Sequence, residues 1–402
     1  MTLPQPPSIL RQSSLRSVLE AALRHGPISR AELARITGLS KQTTSEVVRV
    51  LEERGWLRVT GQTQGAVGRS ATTYEVEANT ALVLGIDLGG TKTHVALANL
   101  TGEIVGEAIQ PTDARGGRFV IDQIGGLLDR VAKESAVSSG AVHFGVMGSP
   151  GVLQETGIIK DAPNIPGLDT FSVTDALRER LGLAVEVEND VNVAAHGEAW
   201  QGSCRDARTF AFVALGTGIG MGLVSDGKII RGARGAAGEI AHLPVGGDPF
   251  DPRSFRHGTL ESAIGSEAIV ERYRGLGGSA DNVRVIFDRL ADGDRAAATT
   301  IDDVARILLQ ALVAVRALFD PELVVLGGSI GARPELLERT RGLAERYMAD
   351  PLRIEPSALG SRATVVGAVG MALAKLQDGL FRSAAQAGRL GPPLAAHAVP
   401  VP

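Results

Sequence analysis

The sequence predicts an α/β protein in which a small helical unit ending in a β-hairpin precedes a larger domain made of two similar halves. Residues 1–76 show helical periodicity interrupted by glycine and proline. From Leu82 onward, short Val/Ile/Leu runs with glycine-rich turns alternate with longer helical stretches, the pattern of an α/β fold. The predicted divisions are 1–78, 79–382, and a tail of residues 383–402 that is rich in Ala, Pro and Gly and that we expect to be disordered.

The bulk composition is that of a soluble globular protein. The 402 residues are 44% hydrophobic and 21% charged, with no run of about 18 apolar residues that would cross a membrane. The N-terminus lacks the apolar stretch of a signal peptide. A single cysteine, Cys204, excludes an internal disulfide framework. We therefore expect a cytoplasmic protein with no membrane partner.

Charge is distributed unevenly along the chain. The net charge is −4, yet residues 1–76 hold ten Lys and Arg against six Asp and Glu, a net charge of +4. The remainder holds 31 against 39, a net charge of −8. A small basic module on a larger acidic body is expected where only one end of the chain meets phosphate.

The first 60 residues predict three helices. Residues 14–25 have apolar side chains on one helical face, and Gly26-Pro27 ends that helix. Ser29 and Glu32 have the spacing of a capping box at the start of the second helix. Gly38 breaks the second helix, and Ser40 caps a third that runs to about residue 54.

Two predicted strands, residues 56–60 and 73–76, flank the loop 61–70 and complete a winged helix-turn-helix. The third helix is then the one that enters a major groove, and the loop is a wing for the minor groove. The alternative is a helical protein-interaction domain with a solvated charged face. We favour DNA binding, with base and phosphate contacts from Ser40, Lys41, Gln42, Thr43, Ser45 and, in the wing, Arg69.

Three glycine turns follow apolar strands in the larger domain. Asp87-Leu88-Gly89-Gly90-Thr91-Lys92 and Gly216-Thr217-Gly218-Ile219-Gly220 each lead into a second strand, and Gly327-Gly328-Ser329 leads into a helix. Glycines let backbone N–H groups approach phosphates, and Asp87 can hold Mg²⁺ through water. The alternative is a plain β-hairpin, because its turn uses the same residues. The recurrence of the turn favours a nucleotide site in a duplicated domain, with a cleft between its halves.

A carboxylate follows another strand, at Glu188-Asn189-Asp190. Asp190 can accept the proton of a sugar hydroxyl as that hydroxyl attacks a phosphate, which is a general-base role. The alternative is a cap for the helix predicted over residues 191–201. The neighbouring phosphate-type turns favour the catalytic interpretation.

The motifs DLGGTK, END, LGTGIG and GEIAH, in this order, resemble the ROK family (repressor, open reading frame, kinase) over roughly residues 10–380. The resemblance implies a two-lobed actin-like and hexokinase-like (ribonuclease H-like) ATPase domain, and the N-terminal winged helix marks the repressor branch. It implies Asp190 as catalytic base and Mg-ATP contacts at Asp87, Gly89, Gly90, Thr91, Lys92, Gly216, Thr217, Gly218 and Gly328. It implies sugar ligands at Asn164, Asn189, Asp190, Glu239, His242 and Glu261.

One family feature is missing from the sequence. The family usually holds zinc with the histidine of the GEIAH-like motif and three cysteines, but residues 241–261 contain no cysteine. We therefore expect no zinc, and packing to hold the loop 246–258. The alternative is a different site built from His242 with His257, Asp248 or Asp251.

The sequence thus predicts a sugar-responsive DNA-binding regulator, a repressor of carbohydrate genes, acting as a homodimer or homotetramer on double-stranded operator DNA. The alternative is an ATP-dependent sugar kinase, since DLGGTK and Asp190 are intact. Both activities in one protein are compatible with these residues.

Overall fold

A computed structural model describes residues 9–64, 70–162 and 164–381. The tail expected to be disordered, 383–402, lies outside these residues. Their contacts define two compact units. The first consists of residues 9–147, 164–186 and 369–381, and the second of residues 148–162 and 187–368.

The N-terminal domain is a winged helix-turn-helix. Its elements are α1 (Ile9–His25), β1 (Ile28–Ser29), α2 (Arg30–Thr37), α3 (Lys41–Glu53), β2 (Leu57–Gln64) and β3 (Ser70–Val76). The strands form a sheet in the order β1-β3-β2. Helix α1 begins earlier than predicted. Strands β2 and β3 extend into the predicted loop 61–70, because continued cross-strand pairing from Gly61 to Gln64 lengthens the hairpin.

Local side-chain chemistry sets the helix ends in this domain. The predicted capping box is present: the Glu32 N–H donates to Ser29 Oγ (3.3 Å), and the Ser29 N–H donates to Glu32 Oε2 (3.2 Å). Gly38 ends α2 with φ +70°, in the left-handed region that favours glycine. The Thr43 N–H donates to Ser40 Oγ (3.1 Å) and so begins α3. The helix–turn–helix is therefore specified by neighbours in sequence.

The larger part of the chain alternates strands and helices. In chain order these are β4 (Leu82–Leu88), β5 (Lys92–Asn99), β6 (Ile104–Pro111), α4 (Gly117–Glu134), β7 (Val142–Ser149), β8 (Val152–Leu153), β9 (Ile159–Lys160), α5 (Val173–Leu181), β10 (Val185–Asn189), α6 (Asp190–Gln201), β11 (Phe210–Leu215), β12 (Ile219–Ser225), β13 (Lys228–Ile229), α7 (Pro252–His257), α8 (Thr259–Ile264), α9 (Ser266–Gly275), α10 (Val283–Ala291), α11 (Arg295–Phe319), β14 (Leu323–Gly327), α12 (Gly328–Gly331), α13 (Pro334–Tyr347), β15 (Ile354–Pro356) and α14 (Ala363–Phe381).

Two five-stranded sheets repeat one strand order. The first is β6-β5-β4-β7-β10 and the second is β13-β12-β11-β14-β15. Each contains an antiparallel three-stranded meander, β4–β6 or β11–β13, followed by two later strands beside the first strand of the meander. This repetition agrees with the duplication that the two glycine turns predict. It also places those turns at equivalent positions, between the first and second strand of each meander.

Strand β11 shows how packing fixes the second glycine turn. Val213 and Leu215 face a core that includes Leu308 of α11, while Phe210 and Phe212 face a separate core on the other side. This alternation is the two-residue period of a strand with both faces covered. The turn after Leu215 is therefore held by a strand that cannot slide without exposing one of its faces.

No helix of the described residues is long and apolar enough to span a membrane.

Candidate functional site

The first turn of α3 presents polar side chains to solvent. Lys41, Gln42 and Ser45 are exposed, whereas Thr44 is buried and donates to the Ser40 carbonyl (3.0 Å). Ser40 Oγ lies 2.8 Å from the hydroxyl of half-buried Thr43, so these two residues are engaged with each other at the helix end. A helix N-terminus with exposed donors suits contact with DNA. The predicted wing residue Arg69 lies outside the described residues.

Arg49, on the same helix, is not among the predicted DNA contacts. It is exposed, and its Nη1 lies 2.6 Å from Glu53 Oε1. Residues seven apart in a helix share a face, so Arg49 lies on the side that carries Gln42. Helical periodicity would have identified it.

The first glycine turn is anchored within the first unit. The Gly89 N–H donates to the Lys92 carbonyl (2.9 Å), and Thr112 Oγ1 donates to the Gly89 carbonyl (2.6 Å). Lys92 Nζ lies 3.5 Å from Asp87 Oδ2. Burial raises the pKa of Asp87, and the Lys92 charge opposes that rise. Bound cations at this turn would favour the ionised Asp87 carboxylate in the same way.

The same turn also contacts a predicted sugar ligand. A Cβ atom at position 90 would lie 2.6 Å from the Asn164 Cβ, so the turn needs glycine there. The remaining member of the turn, Thr91, accepts a hydrogen bond from the Thr112 N–H (3.2 Å). The predicted phosphate turn therefore packs, at Gly90, against the segment that carries Asn164.

The second glycine turn lies against Glu261. The Ile219 N–H donates to Glu261 Oε2 (3.0 Å), and a Cβ atom at position 218 would come 2.3 Å from that oxygen. The Thr217 carbonyl accepts from the Ser266 N–H (3.2 Å), which ties the turn to the start of α9. Hydrogen bonds thus hold this turn and the carboxylate of Glu261 in place relative to each other.

The third turn packs against the backbone at Leu215, just before the second turn. Gly328 has φ +80°, and a Cβ atom there would lie 2.3 Å from the Leu215 carbonyl oxygen. The Ser329 hydroxyl lies 3.4 Å from where a Cβ of Gly216 would stand. Close backbone approach is therefore a requirement at Gly328 and not at Gly216.

Asn189 and Asp190 occupy the junction of β10 and α6. Asn189 is the N-cap of α6: its Oδ1 accepts from the Val191 N–H (3.2 Å), and its Nδ2 donates to the Gly151 carbonyl (3.2 Å). Asp190 is the first helical residue, and its Oδ1 also accepts from the Val191 N–H (2.8 Å). The helix dipole favours a negative charge at this position. Asn189 thus occupies the N-cap position, and both side chains accept a hydrogen bond from the same N–H at the start of α6.

The carboxyls of Glu239 and Glu261 share an electrostatic environment with His242. Glu239 precedes the 3₁₀ turn Ile240–His242, and its side chain retains access to solvent. The surrounding protein nevertheless excludes enough water to raise the pKa of Glu239, opposed by His242 and reinforced by Asp161 and Glu261. Desolvation likewise raises the pKa of Glu261, opposed by its hydrogen bond from Ile219. Such groups suit the exchange of hydrogen bonds with sugar hydroxyls.

The loop 246–258 does not fit a zinc site. Cys204 is buried in another part of the chain, and the described residues hold no group of three His, Cys, Asp or Glu placed to bind a metal ion. The loop is instead closed by Ser254, whose Oγ donates to the Asp248 carbonyl (2.8 Å). A Cβ at Gly258 would come 2.2 Å from the Ala241 carbonyl oxygen, so the loop rests directly on the segment that carries His242.

Comparison with known proteins agrees with this architecture. A model of the ROK family matches residues 83–375, and a model of the MarR family matches residues 17–69. The chain belongs to the ROK family. Its ROK domain therefore contains all three glycine turns, and the MarR-like match coincides with the winged helix.

Both whole-chain and partial relatives are known. The chain is 28% identical over 392 residues to a putative xylose repressor of Caldicellulosiruptor sp. (strain Rt8B.4), covering 92% of this chain and 97% of that one. It is similar in fold to a ROK family transcriptional regulator of known structure (TM-score 0.70, 24% identity, 92% of this chain and 97% of that one). A ROK family glucokinase from Streptomyces griseus, solved with glucose and AMPPNP, has a TM-score of 0.60 at 25% identity, covering 73% of this chain and 99% of that one.

The predicted site residues of the ROK domain fall into two groups. The first unit brings together Asp87, Gly89, Gly90, Thr91, Lys92 and Asn164. The second unit contains Asn189, Asp190, Gly216, Thr217, Gly218, Glu239, His242, Glu261 and Gly328. Arg231 is not among the predicted site residues: its Nε lies 2.6 Å from Glu188 Oε2, and no local signal in the sequence connects these two residues.

Proposed function

We propose that this protein is a sugar-responsive DNA-binding transcriptional regulator, and that it represses its target genes. The observation that carries the proposal is the exposed polar first turn of α3 on the same chain as a ROK domain in which the carboxyls of Glu239 and Glu261 share an electrostatic environment with His242. A recognition helix has no use in a pure kinase. The whole-chain likeness to a putative xylose repressor supports the same function.

Regulation requires that the sugar bind two states of the protein with different affinity. We propose a homodimer or homotetramer as the DNA-binding form, because two-fold related winged helices match the half-sites of an operator. The effector is a sugar that offers several hydroxyls to the Asn, His and carboxylate side chains. Xylose and glucose are the first candidates, from the names of the relatives.

The test is selection of binding sequences from a random DNA library, followed by affinity measurements with and without each sugar. We expect one enriched palindromic sequence, and one sugar that changes its affinity at least about tenfold, the scale of ordinary coupling between sites. Failure to enrich any sequence would contradict DNA binding. An enriched sequence whose affinity no sugar alters would contradict sugar response alone.

A second candidate function is ATP-dependent phosphorylation of a sugar. The observation that favours it is the position of Asp190 at the start of α6, together with the intact turn in which Lys92 lies beside Asp87. In this function Asp190 accepts the proton of the attacking hydroxyl, and the glycine turns hold the phosphates of ATP. Release of ADP from Mg-ATP, measured over hexoses, pentoses and amino sugars with Asp190→Asn as control, tests it. Sugar-dependent ADP release that is lost in the variant would establish the kinase, and its absence with every sugar would remove it.

A further inference from the structure

The Glu188 carboxylate lies at the centre of the β10–α6 junction. Its side chain is only 10% exposed. Its Oε1 accepts hydrogen bonds from the Asn189 N–H (3.0 Å) and from Asn192 Nδ2 (3.0 Å). Its Oε2 accepts from Arg231 Nε (2.6 Å), which comes from 43 residues further along the chain. Glu188 thus receives two bonds from its own turn and one from a distant segment.

Arg231 begins the loop that leads to Glu239. Its carbonyl accepts from the Ala237 N–H (3.0 Å), so the loop closes on itself. Both ends of the loop are bound to β12: the Ile230 N–H donates to the Leu223 carbonyl (2.8 Å), and the Met221 N–H donates to the Gly238 carbonyl (3.2 Å). The backbone of Arg231 therefore belongs to the segment that carries Glu239 and His242, while its side chain reaches the segment that carries Asn189 and Asp190.

One side of α6 carries a buried histidine on which the charge of Arg231 acts. Asn192 and His196 are four residues apart in α6 and so lie along one side of the helix. Burial and, as the smaller cause, the charge of Arg231 together lower the pKa of His196 to about 4. His196 Nε2 is buried and has no hydrogen-bond partner among the described residues. The charge of Arg231 thus acts on His196 of α6 as well as on Glu188.

We propose that Arg231 is a positioning residue of the sugar site: it holds the Asn189–Asp190 turn and the Glu239–His242 segment in fixed relation through Glu188. This inference rests on the proposed sugar site. The Arg231 side chain is 46% exposed, and a partly exposed ion pair contributes little to the free energy of folding. Its effect should therefore be on the placement of the ligands and not on the stability of the domain.

The test compares Arg231→Gln with Arg234→Gln, a charge-matched control at an exposed position of the same loop. Amide hydrogen exchange is measured first, without any sugar. We expect faster exchange in peptides that cover residues 186–192 and 232–242 in Arg231→Gln only, with melting temperatures of both variants close to that of the unmodified protein. Unchanged exchange in both regions would overturn the proposal.

Sugar affinity gives the second measurement, with xylose and glucose as probes. We expect Arg231→Gln to weaken binding about tenfold and Arg234→Gln less than about twofold, and Glu188→Gln to add little to Arg231→Gln, because the two act through one contact. Equal losses in Arg231→Gln and Arg234→Gln would contradict the role of the contact. If the unmodified protein bound neither sugar, the proposed function would fail for these probes, while hydrogen exchange would still decide the role of Arg231.

A folding control completes the design. If Arg231→Gln does not fold, Arg231→Lys retains the charge but not the planar guanidinium, and it takes the place of Gln in both measurements. We then expect a folded protein with intermediate exchange rates and intermediate sugar affinity. Exchange and affinity equal to those of the unmodified protein would overturn the proposal.

Discussion

Gly90 packs so closely against Asn164 that a Cβ atom added at position 90 would lie only 2.6 Å from the Cβ atom of Asn164. The contact joins the predicted phosphate turn to a predicted sugar ligand within one unit. A change at Gly90 should therefore affect the binding of both nucleotide and sugar. A change confined to the segment that carries Asn164 should affect sugar binding alone.

Gly90→Ala should weaken sugar binding and ATP binding together, since the new Cβ must displace Asn164 or the turn. Loss of one well-placed hydrogen bond corresponds to roughly 1 kcal/mol, so we expect at least about a fivefold loss for sugar. Calorimetric titration of each ligand measures the effect. Gly126→Ala in α4, where nothing lies within 4 Å of the new Cβ, is the control. Unchanged sugar affinity in Gly90→Ala would show that Asn164 does not contact sugar.

Gly218→Ala and Gly216→Ala form a matched pair. The first places a Cβ 2.3 Å from Glu261 Oε2, whereas the nearest atom to the Cβ of the second is the Ser329 hydroxyl oxygen at 3.4 Å, an ordinary van der Waals distance. We expect Gly218→Ala to displace the Glu261 carboxylate and weaken sugar binding roughly tenfold, since bonds to charged groups contribute about 1.5–3 kcal/mol. Gly216→Ala should retain sugar affinity in the same titration. Equal affinities in the two variants would remove Glu261 from the sugar site.

Lys41→Ala should weaken DNA binding through the loss of one cationic contact. If Lys41 contacts a phosphate, the slope of log affinity against log salt concentration should fall by about 1 in magnitude. Fluorescence anisotropy with the selected DNA sequence at several salt concentrations measures this slope. Lys133→Ala, at an exposed position of α4, is the control. The same slope in Lys41→Ala as in the unmodified protein would place Lys41 outside the DNA surface.

His196 should make the protein less stable in mild acid. Its pKa is lowered to about 4 by burial and by Arg231, whereas a histidine in the unfolded chain titrates near 6.5. Between about pH 6.5 and pH 4 the unfolded state binds a proton that the folded state does not. The free energy of unfolding should therefore fall with pH across this window, by up to about 3 kcal/mol at its lower end.

Urea unfolding of His196→Gln at several pH values between 7 and 4 measures this contribution. The decrease should be smaller in the variant, because glutamine does not titrate. His25→Gln, at an exposed position of α1, should retain the full decrease. A decrease of equal size in His196→Gln would mean that other groups account for the acid sensitivity.

Chelators should have no effect on the ROK domain. The loop 246–258 is closed by Ser254 and Asp248, and no metal-binding group occurs among the described residues. Melting temperature and sugar affinity should be the same with and without EDTA. A lower melting temperature after chelation, restored by zinc, would favour the alternative site built from His242 with His257, Asp248 or Asp251.

The sequence predicted those features that depend on neighbours along the chain. The capping box of Ser29 and Glu32, the left-handed turn at Gly38 and the cap at Ser40 all involve residues within four positions of each other. The glycine turns after β4 and β11 were predictable for the same reason. The length of the β2–β3 hairpin was underestimated, because continued pairing depends on contacts across the strands and not on local preference.

By itself, the sequence determined the α/β class, the winged helix at the N-terminus and the identity of the candidate ligands, since periodicity, caps and motifs are written in short stretches. Only the tertiary structure decided which side chains meet. Gly90 lies against Asn164, Gly218 against Glu261, and Arg231 on Glu188, and each pair is far apart in sequence. Their contacts follow from how strands and loops pack, because burial of strand faces fixes the position of residues that no local pattern relates.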